Sequence, residues 1–338
     1  MLNKMSKWYS AFGPEGDVVL STRIRFARNI KEYPFPFRLD SEKKKELNSK
    51  IRDVVLSNND NMSFIDMEDV PAYQTVSLAE RHLISPEFAG PSKSRALILS
   101  DNEDISVMLE EEDHLRIQAM EAGLQLDKAY EKAEAIEKVI GENMNYAFDE
   151  RIGFLTQCPT NLGTGMRASV MLHLPALTKQ GLISRLSSTV SKLGLVIRGA
   201  YGEGSQPGGD IYQISNQITL GISEKEAIFN LDSIVKQIIS QERNARKELL
   251  TNEDYLDSVY RAYGILKYAR KLTSNEFMKL VSLVRLAAAE KIIDVDIEKI
   301  NAMIPDMQPA TVNVRNSSQF DAEERDKQRA KEVREILE

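Results

Sequence analysis

The sequence predicts an α+β fold for residues 1–249 and a separate all-helical domain for residues 250–338. Short β-rich segments alternate with amphipathic helical segments up to about residue 220, and a long helical segment follows them. Beyond residue 250 only helical patterns remain. A chain of 338 residues is also longer than one hydrophobic core usually accommodates, which favours a large domain followed by a smaller one.

The β-rich segments lie in the first part of the chain. We expect strands at Val18 to Phe26, Arg95 to Ser100, Ile105 to Leu109, Ile152 to Thr156, Val170 to Leu174 and Ile211 to Leu220. The second and third form a hairpin across the turn at residues 101–104. A glycine-rich turn lies between the fourth and fifth, so we expect it to join them.

The helical segments have apolar residues near a 3.6-residue spacing. We expect helices at Ser41 to Ser57, Val76 to Ile84, Leu124 to Tyr146, Ala176 to Leu193 and Lys225 to Leu249, and a further helical start at Asp113. Gly199 to Asp210 contains five glycines and one proline, which predicts a mobile loop. Three or four helices follow residue 250, including one with a capping box at Thr273 to Glu276 and a charged final helix from Asp321.

Composition excludes several classes of protein. A net charge of −7 argues against a general nucleic-acid binder and suits a basic partner. One cysteine cannot form an internal disulfide, and the three histidines lack zinc-site spacing, so we expect any metal to be held mainly by substrate phosphates. There is no apolar run of about 20 residues and no signal-peptide core, which predicts a cytoplasmic protein without membrane contact.

The glycine-rich turn belongs to the run CPTNLGTGMRAS from Cys158 to Ser169, which combines the lone cysteine with an arginine. Its GTGMRA part fits the loose glycine pattern of dinucleotide sites. That pattern needs a helix starting within the glycines and an acidic residue about 20 positions later, and neither is present. The run therefore does not predict a Rossmann fold.

Three other segments carry charge in an unusual arrangement. Arg23 and Arg25 are two apart, so a strand directs both side chains to one face. Residues 110–113 are four consecutive carboxylates, which is costly unless a cation lies among them. Arg198 and Glu203 flank the start of the glycine loop. The alternatives are surface ion pairs, a solvated acidic turn in which Asp113 caps a helix, and an ordinary surface loop.

Together these four segments resemble, in the same order, the motifs of the phosphagen (guanidino) kinases. The motifs are STRIR from Ser21, EEDHLR from Glu111, CPTNLGTGMRAS from Cys158 and RGAYGE from Arg198. The resemblance runs from about Val18 to Ile239. It implies an antiparallel sheet flanked by helices, and transfer of a phosphoryl group between ATP and a guanidinium nitrogen, with Mg²⁺ held mainly through the nucleotide phosphates.

The resemblance also implies roles for individual residues. Glu112 and Glu203 match the two catalytic carboxylates, and Cys158 matches a reactive cysteine beside the guanidinium, although it could also be a small buried apolar residue. The positions that match the ATP site are Ser21, Thr22, Arg23, Ile24, Arg25, His82, Arg116, Arg167, Ala168, Ser169, Val170, Met171, Arg198, Gly199, Ala200, Tyr201, Gly202 and Glu203.

The domain order differs from that of the metabolite kinases in this family, which carry a helical domain before the first arginine motif. Here a helical region follows the catalytic part, and the nearly full-length resemblance is to the bacterial protein-arginine kinases. It includes HLISPE from His82, YGEGSQ from Tyr201, and an Arg-Asp-x-x-Arg-Ala pattern. That pattern implies a regulatory phosphoarginine-binding pocket formed by Arg325, Asp326, Arg329 and Ala330. The alternative is a solvated charged helix with local ion pairs.

This second resemblance further implies protein substrates with exposed arginines and a homodimer. It also implies partnership with an AAA+ protease, a heat-shock repressor and a small zinc-binding activator. Two alternatives stay open: a kinase of free arginine, which would need the N-terminal lid, and a phosphoarginine-binding adaptor without catalysis. The adaptor would be expected to lose the catalytic set, yet its arginines and both glutamates are present.

Overall fold

The fold is built around an antiparallel β-sheet. The computed structural model describes residues 7–91, 93–199 and 208–338. Within these ranges the strands are β1 (Val19–Arg28), β2 (Met62–Asp66), β3 (Ala96–Ser100), β4 (Ile105–Leu109), β5 (Leu115–Ala122), β6 (Phe148–Asp149), β7 (Gly153–Phe154), β8 (Met166–His173), β9 (Leu195–Gly199) and β10 (Ile211–Asn216). Eight of them form one sheet in the order β2-β3-β4-β5-β1-β8-β10-β9, and β6 pairs with β7.

Helices pack against both faces of this sheet and make up the C-terminal region. In the described ranges they are α1 (Ser41–Leu56), α2 (Ala72–Glu80), α3 (Leu126–Asn143), α4 (Pro175–Lys179), α5 (Ile183–Ser191), α6 (Glu224–Leu249), α7 (Glu253–Tyr268), α8 (Ser274–Ala289), α9 (Ile297–Asp306), α10 (Pro309–Arg315) and α11 (Ala322–Leu337). The predicted fold class, an antiparallel sheet flanked by helices with a helical C-terminal region, is confirmed.

The two faces of the central strands differ in chemistry because side chains alternate along a strand. Ile24 and Phe26 of β1 are fully buried, and they pack in an apolar core with residues of α3 and α6. Each such side chain contributes about 1.5–3 kcal/mol by leaving water. Arg23 and Arg25, on the opposite face, line a cavity. The apolar face therefore holds the sheet in place while the polar face stays available for chemistry.

The C-terminal helices have an apolar core of their own. It includes Val259 of α7, Phe277 of α8, Met303 of α9 and Val333 of α11. The main core, by contrast, contains buried residues from Val18 to Ala245. The predicted division into residues 1–249 and 250–338 is in keeping with these two cores and stays a prediction.

Two predicted elements are wrong in type or extent. Residues 113–122 do not begin a helix, because Leu115–Ala122 is strand β5, paired with both β1 and β4. Its alternation of Ile117 and Ala119 with Arg116 and Gln118 is the period-two signal of a strand. The helix predicted to carry His82 ends at Glu80, and His82 follows it with φ of 61°.

One further helix differs from the prediction. The expected helix from Ala176 is two helices, α4 and α5, interrupted at Gly181 with φ of 72°. The glycine-rich segment joins β7 to β8, and these two strands have different partners: β7 pairs with β6, whereas β8 pairs with β1 and β10. The predicted glycine loop lies mostly at residues 200–207, outside the described ranges.

A buried arginine joins the helical region to the eight-stranded sheet and to the segment before β1. Arg285 of α8 donates to the carbonyl oxygens of Gly16 (2.7 Å) and Asp17 (3.0 Å), to Asn301 Oδ1 (2.8 Å) and to His173 Nδ1 (3.0 Å). Burial, with a smaller effect from Arg246, lowers the pKa of Arg285 to about 9. Its charge is tolerated because four acceptors surround it.

We expect Arg285→Met to lower the free energy of unfolding by about 3 kcal/mol, because it leaves buried acceptors without donors. Urea unfolding would measure the change. The control is Arg261→Met in α7, whose side chain is 74% exposed and which should change stability by less than about 0.5 kcal/mol. Equal losses in the two variants would contradict the assigned role of Arg285.

Candidate active site

A cavity of about 540 Å³ lies on the polar face of the sheet, within the usual volume range of small-molecule sites. Most of its wall is charged or polar. Its lining residues are Arg23, Arg25, Ala79, His82, Ile84, Ser85, Pro86, Glu87, Arg95, Glu111, Glu112, Arg116, Gln157, Cys158, Thr160, Asn161, Arg167, Arg198 and Gln213.

Strand register brings the predicted arginines together. Arg25 of β1 lies directly opposite Arg167 of β8, and Arg116 of β5 lies opposite Ala27, the next β1 residue on the same face. Arg198 of β9 lies opposite Gln213 of β10. Residues far apart in the chain therefore present guanidinium groups to one cavity because neighbouring strands run antiparallel in this register.

Mutual repulsion characterises the arginine cluster. Burial, then Arg116 and Arg167, lowers the pKa of Arg23 to about 10. The pKa of Arg25 is lowered by burial and then by Arg23, Arg116 and Arg167, although its side chain still borders the open cavity. Arg25 Nε is buried and, among the described residues, has no hydrogen-bond partner. A cluster of this kind is suited to a polyanion, which would relieve the repulsion.

Neutral side chains orient two of these arginines. Gln213 Oε1 accepts a hydrogen bond from Arg23 at 2.5 Å, and Ser215 Oγ accepts one from Arg167 Nε at 3.3 Å. Both of these partners are uncharged side chains. The guanidinium groups are thus positioned before any ligand arrives, which reduces the reorganisation that binding requires.

Two carboxylates line the cavity beside Arg116, those of Glu111 and Glu112. Glu112 Oε2 is 3.4 Å from Arg116, and Cys158, whose Sγ lies 3.0 Å from Thr160 Oγ1, lines the same cavity. Burial is the main cause that raises the pKa of Glu112; Arg116 opposes the rise, while Asp113 and Glu111 add to it. A carboxylate with a raised pKa is better able to accept a proton than an ordinary one.

Hydrogen bonds to Asp113 hold together the two segments that carry Glu112 and Cys158. Asp113 Oδ1 accepts from the backbone N–H of Gln157 at 2.8 Å and from Asn29 Nδ2 at 2.6 Å. The first bond ties the turn that carries Glu112 to the segment that carries Cys158. Asp113 is therefore not a helix cap; it anchors an irregular turn between β4 and β5.

The side chain of His114 holds the same turn in place. Its Nδ1 accepts the N–H of Ile30 at 3.0 Å, so the proton must lie on Nε2, which is 2.9 Å from the carbonyl oxygen of Pro34. Burial is the main cause that lowers the pKa of His114 to about 4. His114 is thus a neutral structural residue at physiological pH.

Arg28 supports the loop that follows Cys158. It donates to the carbonyl oxygen of Thr164 at 2.9 Å, pairs with Glu137 at 2.6 Å and lies 3.5 Å from the ring centre of Phe154. A Cβ at Gly165, where φ is 57°, would lie 2.6 Å from Arg28 Nη1. Glycine is required there because only glycine gives both the left-handed backbone and the space.

The remaining predicted nucleotide positions lie in several different places. His82 borders the cavity, and burial, then Arg23, lowers its pKa to about 3, so it is neutral. Ser21, Ser169 and Met171 line a small adjoining cavity with His82. The structure places Thr22, Ile24, Ala168 and Val170 on the opposite, buried face of the sheet. Gly199 ends β9, and Ala200, Tyr201, Gly202 and Glu203 lie outside the described residues.

The predicted phosphoarginine residues lie on α11. Arg329 is only 1% exposed and donates to the carbonyl oxygens of Met307 and Leu272, each at 2.7 Å, and to Asp326 at 2.8 Å. Ala330 is fully buried. Arg325 is less buried and donates to the carbonyl oxygen of Phe320 at 2.9 Å. Arg329 therefore holds α11 against the segments that contain Met307 and Leu272. Arg325 is the more accessible of the two arginines.

Several site residues were not predicted. Glu111 forms an ion pair with Arg116 at 2.6 Å and accepts a hydrogen bond from Ser85. Arg95 holds the segment after Ser85, because it donates to the carbonyl oxygens of Glu87 (2.9 Å) and Phe88 (3.2 Å). The alternation of polar residues along β10 could have indicated Gln213. Nothing in the local sequence distinguishes Ser85 or Arg95.

Within the described ranges, no group of three or more His, Cys, Asp and Glu side chains is arranged to hold a metal ion. No helix in the part of the chain that the structure describes is both long and apolar enough to cross a bilayer.

The antiparallel sheet and its arginine-lined cavity are typical of ATP:guanido phosphotransferases. Comparison with known sequences assigns the chain to the same class. The family model "ATP:guanido phosphotransferase, C-terminal catalytic domain" matches residues 45–245, and "Protein-arginine kinase McsB C-terminal domain" matches residues 252–338. The chain belongs to the protein-arginine kinase family of these phosphotransferases. The resemblance and the enzyme class predicted from the sequence are confirmed.

Full-length relatives carry the same family name. A protein-arginine kinase from Caldanaerobacter subterraneus subsp. tengcongensis is 46% identical over 94% of this chain and 96% of its own length. One from Clostridium acetobutylicum is 43% identical over 98% of this chain and all of its own length. The similarity thus extends through the catalytic sheet and the helical region alike.

Solved structures share the catalytic fold. A lombricine kinase has a TM-score of 0.59 and 26% identity, covering 72% of this chain and 70% of that one. The duplicated taurocyamine kinase of Schistosoma mansoni with bound transition-state-analogue components has a TM-score of 0.60 and 25% identity, covering 72% of this chain and 35% of that one.

Glu110 belongs to the acidic turn beside the site, and the burial of its carboxylate should make the stability of the protein depend on pH. Both of its carboxylate oxygens are buried, without a hydrogen-bond partner among the described residues, and burial raises its pKa from 4.5 to about 8. A carboxyl whose native pKa lies above its unfolded pKa contributes most stability below 4.5, and this contribution is lost as pH rises through about 8.

We expect Glu110→Gln to have no advantage below pH 4.5 and to become more stable than the parent as pH rises to about 8, by on the order of 1–3 kcal/mol. Urea unfolding at several pH values would measure the difference. Glu42→Gln, at an exposed position of α1, is the control and should show no such trend. A difference that is independent of pH would contradict the burial of an ionisable Glu110.

Proposed function

We propose that the protein transfers the γ-phosphoryl group of ATP to the guanidinium group of arginine side chains in proteins. The observation that carries this proposal is that the five arginines predicted from the sequence line one cavity together with Glu112 and Cys158. A phosphoryl group in transfer spreads negative charge over its oxygens, and the protein's main contribution is positioning and charge stabilisation. Planar guanidinium groups suit both tasks.

The guanidinium group that accepts the phosphoryl group must lose a proton, which is unfavourable. An arginine guanidinium has a pKa near 13.8 and an ordinary glutamate one near 4.3, so deprotonation before attack would cost about 13 kcal/mol. We therefore assign to Glu112 the alignment of the guanidinium and acceptance of its proton, as the N–P bond forms and the bond from the γ-phosphorus to the bridging oxygen of the departing ADP breaks. Glu203 is proposed as the second carboxylate, and Cys158 as a further contact to the guanidinium.

MgATP is the proposed donor. The arginine cluster supports binding of the triphosphate, and His82 is proposed to lie near the base and ribose. Mg²⁺ would be held mainly through the phosphates and would neutralise part of their charge. The protein-arginine kinase name of the full-length relatives favours arginine within proteins over free arginine as acceptor.

A labelling experiment with two alternative acceptors tests the function. The protein is incubated with MgATP and either an unfolded basic protein or free arginine, and acid-labile phosphate is followed by phosphorus NMR. We expect label on protein only. Label on free arginine would favour a phosphagen kinase, and no label on either would leave a phosphoarginine-binding adaptor.

Glu112→Gln is the matched variant, because it keeps the size of the side chain but cannot accept the proton. We expect transfer to fall by at least about 100-fold while nucleotide affinity stays within about two-fold. Glu131→Gln, on the exposed side of α3, controls for loss of a surface carboxylate. Joint loss of transfer and nucleotide binding would indicate a structural role for Glu112 instead.

Regulation and partners are proposed from the family resemblance. The C-terminal residues 250–338 would mediate dimerisation and phosphoarginine binding, and the exposed Tyr260, Ile265 and Tyr268 of α7 offer an apolar face for a second copy. In this proposal the cytoplasmic kinase marks proteins for an AAA+ protease, acts on a heat-shock repressor and is controlled by a small zinc-binding activator.

Arg325→Ala is the sharper test of the phosphoarginine pocket, because Arg329 also holds the domain together. We expect the affinity for a phosphoarginine peptide to fall by about ten-fold, the effect of losing one charge-assisted hydrogen bond. Lys327→Ala, at an exposed position of the same helix, should leave the affinity unchanged. Equal affinities in parent and Arg325→Ala would end the pocket assignment.

A further inference from the structure

We propose that Glu80 is a positioning residue through which the C-terminal helical region fixes the His82 wall of the active site. Glu80 is the last residue of α2, whereas its carboxylate binds α10, more than 200 positions later in the chain. The inference rests on the proposed function, because it concerns how the nucleotide side of that site is held. It assigns to the helical region a part in forming the catalytic cavity itself.

The contact between Glu80 and α10 is specific. Glu80 Oε1 accepts the N–H of Ala310 at 2.9 Å, and Oε2 accepts the N–H of Thr311 at 2.7 Å and its hydroxyl at 2.8 Å. The hydroxyl of Thr311 also contacts Ser77, one turn earlier on α2, at 3.0 Å. Two residues of one helix thus bind the same point of the other.

The chain around α10 provides no substitute for this carboxylate. Gln308, the N-cap residue, makes no side-chain cap bond, and its amide donates to the carbonyl oxygen of Ile304 instead. Pro309 has no N–H, so Ala310 and Thr311 carry the first backbone donors of the helix. Burial raises the pKa of Glu80 and the three hydrogen bonds oppose that rise, which is the pattern of a carboxylate held as a cap.

The catalytic side of the link begins at the end of α2. The N–H of Leu83 binds the carbonyl oxygen of Leu78, and the N–H of His82 binds that of Ala79, each at 2.9 Å. With His82 at φ of 61°, this is a Schellman ending, in which the helix sets the backbone of the residue that follows it. The position of α2 therefore determines that of His82, whose carbonyl oxygen accepts from Gln118 at 2.8 Å.

The residues after His82 continue the cavity wall. Ile84, Ser85, Pro86 and Glu87 all line it, and Ser85 binds Glu111 opposite. A displacement of α2 would consequently move one complete side of the site. The arginines on the β-strands would keep their places, because they belong to the sheet.

The other side of the link is rigid as well. The carbonyl oxygen of Met307, two residues before α10, accepts a hydrogen bond from the buried Arg329 at 2.7 Å. Met307 and Val312 are fully buried. Glu80 thus binds a point that the helical region holds firmly, which makes the contact a fixed support.

Loss of the carboxylate should affect nucleotide binding more than the chemical step. We expect Glu80→Ala to raise KM for MgATP by about ten-fold and to lower kcat by less than about three-fold, because the arginines and Glu112 stay in place. Direct measurement of ADP binding should show the same loss of affinity. Glu80→Gln, which still offers one acceptor oxygen, should fall between Glu80→Ala and the parent.

A double-mutant cycle with Thr311→Val tests the pairing. If Glu80 acts through α10, the effects of the two substitutions on KM should not add, because both remove the same contact. Thr311→Val keeps the helical backbone and removes only the hydroxyl, so it provides a measurement even where Glu80→Ala folds poorly. Glu226→Ala is the matched control, since Glu226 is a capping carboxylate of α6 at an exposed position.

The outcomes are distinct. An unchanged KM for MgATP in folded Glu80→Ala, an equal rise in Glu226→Ala, or strictly additive effects of Glu80→Ala and Thr311→Val would overturn the inference. Absence of transfer by the parent protein would instead reject the proposed function. The ADP-binding measurement still reports on the His82 wall in that case, so the two failures are distinguishable.

Discussion

Repulsion among guanidinium groups gathered on one face of the sheet is the constraint on which the rest of the structure depends. Arg23, Arg25, Arg116, Arg167 and Arg198 line one cavity, and burial with mutual repulsion lowers the pKa of Arg23 and Arg25. Such an arrangement is unfavourable in itself. It is held together by the apolar packing on the other face of the same strands, and a triphosphate would relieve its electrostatic cost.

Buried polar contacts carry that support to the parts of the site that lie outside the strands. Asp113 joins the acidic turn to the segment before Cys158, Arg28 supports the glycine-rich loop, and Glu80 joins α2 to α10. Each of these groups is a charge whose burial is offset by several hydrogen bonds. Irregular segments need such contacts because they lack the backbone ladder of the sheet.

The two regions of the chain are joined by the same kind of interaction. Arg285 reaches from α8 to the backbone of Gly16 and Asp17 and to His173 of β8. Together with Glu80, it makes the helical region part of the frame around the cavity. The helical region therefore contributes to the geometry of the catalytic site as well as to the proposed regulation and dimerisation.

The sequence by itself determined the fold class, the family and most charged residues of the cavity, because strand periodicity, composition and short motifs are local properties. It misassigned β5 as a helical start, since the alternation in Leu115–Ala122 follows a carboxylate run that also fits a helix cap. Only the tertiary structure decided that Glu111, Gln213, Arg28 and Glu80 matter to the site. Their partners lie far away in the chain, and a long-range contact depends on strand register and helix packing that no local pattern encodes.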